Sequence, residues 1–152
     1  MSDAPLKPPR PAVLIVDDDA FVVDSMKIML GTLGYRSLSA PGAVKGLAFA
    51  VKHRPQAILL DLSMPEVDGF AFLLHQRKLP EIQDIPVIVL TASHDKTDVQ
   101  RAVQLGAADY LVKPLEVDQL ARRLERFAPS PLYTPANASV VDWGVKFNKS
   151  LL

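Results

Sequence analysis

A chain of 152 residues, 49% hydrophobic and 22% charged, has apolar content for one folded domain of ordinary size, which excludes disorder over most of its length. Seventeen Lys and Arg balance seventeen Asp and Glu, so no global basic field exists to hold nucleic acid or an anionic membrane, and direct DNA binding by this chain is not expected. The absence of cysteine excludes disulfides and thiolate metal sites, no apolar run approaches the ~20 residues of a membrane span, and the N-terminus carries Pro and charge where a signal peptide would be apolar, so a cytoplasmic protein is expected.

The prolines mark the edges of the domain. Pro5, Pro8, Pro9 and Pro11 precede the first apolar run, and Pro129, Pro131 and Pro135 follow the last helical pattern. Residues 1–10 therefore read as an N-terminal extension, 11–128 as one domain, and 129–152 as a C-terminal tail. The first run, Ala12-Val13-Leu14-Ile15-Val16, is rich in β-branched residues and closes on three aspartates, the pattern of a strand buried on both faces. Phe21, Met26, Met29, Leu30 and Leu33 then recur at helical spacing, and Gly34 stands where a left-handed cap ends such a helix. A weaker strand over 36–39 leads into a helix over 42–53, which Arg54-Pro55 stops because a residue before proline avoids the helical region.

The alternation continues with a strand at Ala57-Ile58-Leu59-Leu60, a helix over 70–78, a strand at Val87-Ile88-Val89-Leu90 and a helix over 95–105. A strand at Tyr110-Leu111-Val112 and a helix over 116–127 complete it. Five strand-helix cycles with no NG or DG hairpin joins predict an α/β fold, a parallel sheet covered by helices on both faces.

Ligands of such sheets bind beyond the carboxyl ends of the strands. There this chain places Asp17, Asp18 and Asp19 after the first strand, Asp61 after the third, Thr91 after the fourth, and Lys113 with Pro114 after the fifth. Taken singly, each is ordinary: the aspartate triplet suits a helix N-cap, Thr91 a strand end, and Lys113 a surface cation. Together they converge several carboxylates, a hydroxyl and an ammonium on one rim. Adjacent carboxylates repel unless a cation neutralises them, and an all-oxygen set without His or Cys suits a hard ion such as Mg²⁺. The set outlines a phosphoryl-transfer site in which a carboxylate serves as nucleophile.

Four motifs in this order, Leu14-Ile15-Val16-Asp17-Asp18-Asp19, Ile58-Leu59-Leu60-Asp61-Leu62-Ser63-Met64-Pro65-Glu66-Val67-Asp68-Gly69, Val89-Leu90-Thr91-Ala92 and Tyr110-Leu111-Val112-Lys113-Pro114, closely resemble the receiver domain of two-component response regulators, the CheY-like fold. The resemblance covers nearly all of residues 11–127. It implies a flavodoxin-like, doubly wound, five-stranded parallel sheet of order 2-1-3-4-5 with five helices. It implies Asp61 as phosphoacceptor and a Mg²⁺ site formed by Asp17, Asp18, Asp61 and the backbone carbonyl of Ser63, with Asp19 left to the following helix. Thr91 matches the hydroxyl that contacts a phosphoryl oxygen, Lys113 the lysine that pairs with Asp61, and Tyr110 the aromatic partner of Thr91 in switching. The resemblance also implies a cis Lys113-Pro114 bond.

A sensor histidine kinase or phosphotransfer protein is the implied phosphoryl donor. Self-phosphorylation and slow self-dephosphorylation would be the only reactions, with no turnover enzyme. With 129–152 too short for a further DNA-binding or catalytic domain, a stand-alone receiver acting on a downstream protein target is expected, without membrane association. A phosphorelay shuttle returning phosphoryl to a histidine is the alternative. An aspartyl-phosphate phosphatase is a weak rival, because that chemistry wants a second acid where Ser63 stands. In the tail Val141, Trp143, Val145 and Phe147 alternate with Asp142, Gly144, Lys146 and Asn148 at a strand-like period, while Val140, Trp143, Phe147 and Leu151 also fit a helical stripe, and the segment reads as a docking or homodimerisation segment. His53, His75 and His94 show no metal-like spacing and read as surface residues.

Overall fold

The degree of burial of each strand decides its place in the sheet. The computed structural model describes residues 10–64, 69–92, 96–130 and 132. Three strands are buried at every position: β1 (Ala12–Val16), β3 (Ala57–Asp61) and β4 (Val87–Thr91). These are the continuous apolar runs, and they form the sheet centre. β2 (Arg36–Ala40) and β5 (Asp109–Val112), which mix buried residues with partly covered ones, form the edges. All pairings are parallel and the order is β2-β1-β3-β4-β5, the doubly wound arrangement that the resemblance implied.

Successive side chains of a strand point to opposite faces, so one sheet builds two cores. Leu14, Val16, Ile58, Leu60, Val87 and Val89 face α2 (Ala43–His53), α3 (Gly69–Gln76) and α4 (Lys96–Gln104). Val13, Ile15, Leu59, Ile88, Leu90 and Leu111 face α1 (Ala20–Thr32) and α5 (Val117–Glu125). Each fully buried aliphatic side chain contributes about 1.5–3 kcal/mol relative to exposure, so the central strands carry most of the apolar stabilisation.

Helix ends follow local chemistry. The Asp19 side chain accepts from the N–H groups of Phe21 (2.9 Å) and Val22 (3.3 Å), which starts α1. At its other end Gly34 takes a φ of +89°, Gly34 N–H donates to Gly31 O, and Tyr35 N–H donates to Leu30 O, a double closure that only a left-handed residue permits. The core stripe of α1 is Val23, Met26 and Leu30, whereas Phe21 stands 80% exposed. Phe21 therefore does not belong to the buried stripe that its spacing suggested, because the cap at Asp19 sets the first turn with this ring facing outward. Arg54 ends α2 in a left-handed conformation with φ 47° rather than extended, its N–H donating to Ala50 O. Pro55 bars the right-handed helical region from Arg54, and the left-handed alternative gives the last turn a closing hydrogen bond.

After α5 the chain crosses to the C-terminal end of α1. Tyr35 Oη donates to Ala128 O at 2.6 Å, the Ser130 hydroxyl donates to Leu33 O, and the Leu132 side chain lies against Gly34. Residues 1–9 of the N-terminal extension, the Pro65–Asp68 part of the turn before α3, Ser93 to Asp95 including His94, and the Val140 to Leu151 stripe lie outside the described residues.

Candidate functional site

Strand register gathers the site. Val16 pairs with Leu60, Asp61 with Leu90 and Thr91 with Val112, so the residues that end β1, β3, β4 and β5 emerge on one rim. The aspartate triplet divides its roles. Asp17 is buried, its N–H bound to Ala40 O and its carboxylate accepting from Asp19 N–H at 2.9 Å. Asp18 is exposed, and Asp19 is occupied as the cap of α1.

Asp61, also buried, closes β3 and accepts from Ser63 N–H at 3.0 Å. Lys113 Nζ stands 3.2 Å from Asp17 Oδ2 and 3.4 Å from Asp61 Oδ1, bridging the two carboxylates. Its own N–H donates to Thr91 O at 2.8 Å, and the Lys113-Pro114 bond is cis. Thr91 is buried at the end of β4. Tyr110 is half-buried against the core beneath α3 and α4.

One carboxylate oxygen from each of Asp17, Asp18 and Asp61 lies within 4.8 Å of the others. Among the described residues Lys113 supplies the one ammonium paired with this group, so the cluster is under-neutralised there. Burial pushes the Asp17 carboxyl above its ordinary value; the Asp19 N–H pulls against this, the Asp61 charge adds to it, and Lys113 opposes it. A donor set made only of oxygen, with excess negative charge and no nitrogen or sulfur ligand, fits a hard divalent cation such as Mg²⁺. Asp17 and Asp18 also line a shallow cavity of about 260 Å³ between α1 and the end of β2, through which this edge of the cluster meets solvent.

Two features escaped the sequence reading. Asp109 is buried beside Tyr110, and Arg123 Nη1 reaches both of its oxygens at 3.1 and 2.9 Å while Arg126 Nη1 reaches one at 3.1 Å. The signal was an acid adjoining an apolar strand together with two arginines three apart on the following helix. Gly69 is required for closeness rather than for backbone freedom, since a Cβ there would sit 2.8 Å from Asp61 O and 2.9 Å from the Leu62 Cα. His53 and His75 are exposed, as their spacing suggested.

A family profile described as the response regulator receiver domain matches residues 13–125. This chain belongs to that family. Among solved structures, the chemotaxis protein CheY4 of Vibrio cholerae superposes with a TM-score of 0.74 at 29% identity, covering 78% of this chain and 99% of that one. The receiver domain of the sensor histidine kinase PA1611 of Pseudomonas aeruginosa, solved with a magnesium ion in its active-site cleft, gives a TM-score of 0.74 at 30% identity, covering 80% and 100%.

Among proteins similar in sequence, the DNA-binding dual master transcriptional regulator RpaA of Synechocystis is 40% identical over 114 residues, or 75% of this receiver chain and 47% of RpaA. The transcriptional regulatory protein PrrA of Mycobacterium tuberculosis is 36% identical over 115 residues, or 76% and 48%. The receiver chain thus spans about half the length of these regulators.

These relatives overturn the expectation of a stand-alone receiver without direct DNA binding, because RpaA is itself a DNA-binding regulator. Balanced charge over these 152 residues describes their own surface. It carries no information on the electrostatics of other parts of a regulator. As for membranes, among the described residues no helix is long and apolar enough to cross one.

Proposed function

We propose that this receiver accepts a phosphoryl group on Asp61 from a phosphohistidine presented by a sensor histidine kinase or phosphotransfer protein, and that the receiver controls a transcriptional output of the kind its relatives carry. The observation that supports this most is the bridge of Lys113 between two buried carboxylates on a rim that also brings Asp18 within reach. In the reaction a carboxylate oxygen of Asp61 attacks phosphorus, the phosphorus–nitrogen bond breaks, and its electron pair returns to the imidazole, which takes up a proton.

Mg²⁺, held by Asp17, Asp18, Asp61 and the Ser63 carbonyl, would supply charge neutralisation to the transferring oxygens. Lys113 exchanges its contact with the Asp61 oxygen for one with a phosphoryl oxygen, and the Thr91 hydroxyl donates to another. The Lys113 N–H bond to Thr91 O ties the two strand ends, so a move at one is felt at the other. Tyr110, half-buried beside α4, then repacks inward and alters the face built from α4, β5 and α5.

Incubation with acetyl phosphate and Mg²⁺, followed by intact-mass measurement, should add one phosphoryl group per chain. Asp61→Asn should abolish the adduct, and persistence of the adduct at the wild-type level would overturn the assignment. Lys113→Ala should form the adduct but lose the conformational response read at Tyr110.

A further inference from the structure

Between α1 and the loop that leads into α5 lies a groove of about 420 Å³, lined by Phe21, Met29, Pro114 and Leu115 together with the buried Met26, and bordered by Lys113. Phe21 stands at its upper lip at 80% exposure, although a ring of this size is the kind of side chain that burial favours most.

The described chain ends a short way beyond this groove. Ser130 and Leu132 are fastened to Leu33 and Gly34, at the C-terminal end of α1 and little more than one turn from Met29. From there to Phe21 is roughly 18 Å along the helix axis. Residues 133–152 of this sequence can cover that span, and they contain Val140, Trp143, Phe147 and Leu151 at helical spacing. As a helix that stripe would extend roughly 17 Å, enough to span the roughly 12 Å of α1 between Met29 and Phe21 that lines the groove.

We infer that residues 133–152 seat their apolar stripe in this groove of the same chain, with Trp143 and Phe147 covering Phe21 and Met29. The inference rests on where the described chain ends, on the length that follows it, and on the match between an exposed apolar groove and an apolar stripe. It does not depend on the chemistry proposed for Asp61.

Trp143 is the single tryptophan of the sequence, so intrinsic fluorescence reads this contact directly. In the full chain the emission maximum should lie to the blue of tryptophan in water, and acrylamide should quench it weakly. Phe21→Asp, at an exposed position, should shift the maximum to the red and raise the quenching, whereas Val103→Asp on α4, also exposed, should change neither. Light scattering should give a monomer mass wherever the shielding is seen.

A water-like emission in the parent chain would overturn the inference, as would shielding that Phe21→Asp leaves intact. Shielding that appears only as the mass doubles with concentration would overturn it in favour of a second copy as the occupant.

Discussion

The chain buries aspartates at both ends of its logic, Asp17 and Asp61 on the rim and Asp109 on the edge strand, and it treats them in opposite ways. Asp109 has two guanidinium partners, with Arg123 contacting both of its oxygens, so its charge is neutralised where it stands. Asp17 and Asp61 share one ammonium and have Asp18 beside them, so their charge is left partly open. A buried acid with its counter-charges built in holds two elements together, here β5 and α5. A buried acid short of counter-charge is costly until something cationic arrives, and that is where binding and chemistry are to be sought.

The largest expected effect tests the neutralised side of this contrast. Asp109→Ala removes the buried carboxylate that Arg123 and Arg126 share and should lower stability by about 3–5 kcal/mol in urea unfolding. Asp61→Asn, which relieves repulsion, should leave stability within about 1 kcal/mol of wild type or raise it. Equal losses in the two variants would erase the distinction.

Gly69→Ala comes next, because the new methyl group meets the backbone at Asp61 and Leu62. Overpacking of this kind should cost about 1–3 kcal/mol and slow phosphorylation by acetyl phosphate as well.

The under-neutralised side should answer to cation. Because burial raises the Asp17 carboxyl, the contribution of its proton to stability is present below the ordinary carboxylate range and is lost as pH rises through the raised value. A divalent cation bound among the three carboxylates should relieve their mutual repulsion. A concentration ten times the dissociation constant should add about 1.4 kcal/mol in thermal or urea unfolding. Asp18→Asn should blunt that increment, while Asp109→Asn should retain it on a lower baseline.

Smallest is Tyr35→Phe, which removes the bond to Ala128 O and should cost about 1 kcal/mol at neutral pH. Burial, with the Glu125 charge adding, raises the Tyr35 phenol, so its proton contributes stability fully below about pH 10, and that contribution is lost above. The variant should therefore show a shallower alkaline decline in a pH series of unfolding midpoints.

Much of this was readable in the residues. Continuous apolar runs marked the strands that lie at the centre of the sheet, and the strand read as weaker, β2, lies at an edge, while the strand order itself came from the family resemblance. The strand-end acids and Lys113 came together because parallel register puts every carboxyl end on the same side. Phe21 misled, since spacing reports a helix but not where its first turn begins; the cap at Asp19 decides that. Asp109 was passed over because its partners lie on another element, and one-dimensional patterns do not show pairing across a crossover. The DNA question failed for a different reason, as a sum of charges is bounded by the residues it counts.

Among the helices, α4 is the one least embedded. Ala102 is its one fully buried side chain, and Arg101 rests on the Phe70 ring of α3 at 4.1 Å. Sliding or turning such a helix surrenders little apolar contact, so the energetic threshold for repositioning it is low. A charge-assisted hydrogen bond gained at the neighbouring strand end, about 1.5–3 kcal/mol, is on the scale of that threshold. The domain thus couples a stiff central sheet to one lightly held cylinder, and a small electrostatic event can be expressed as a visible change of relief on that flank.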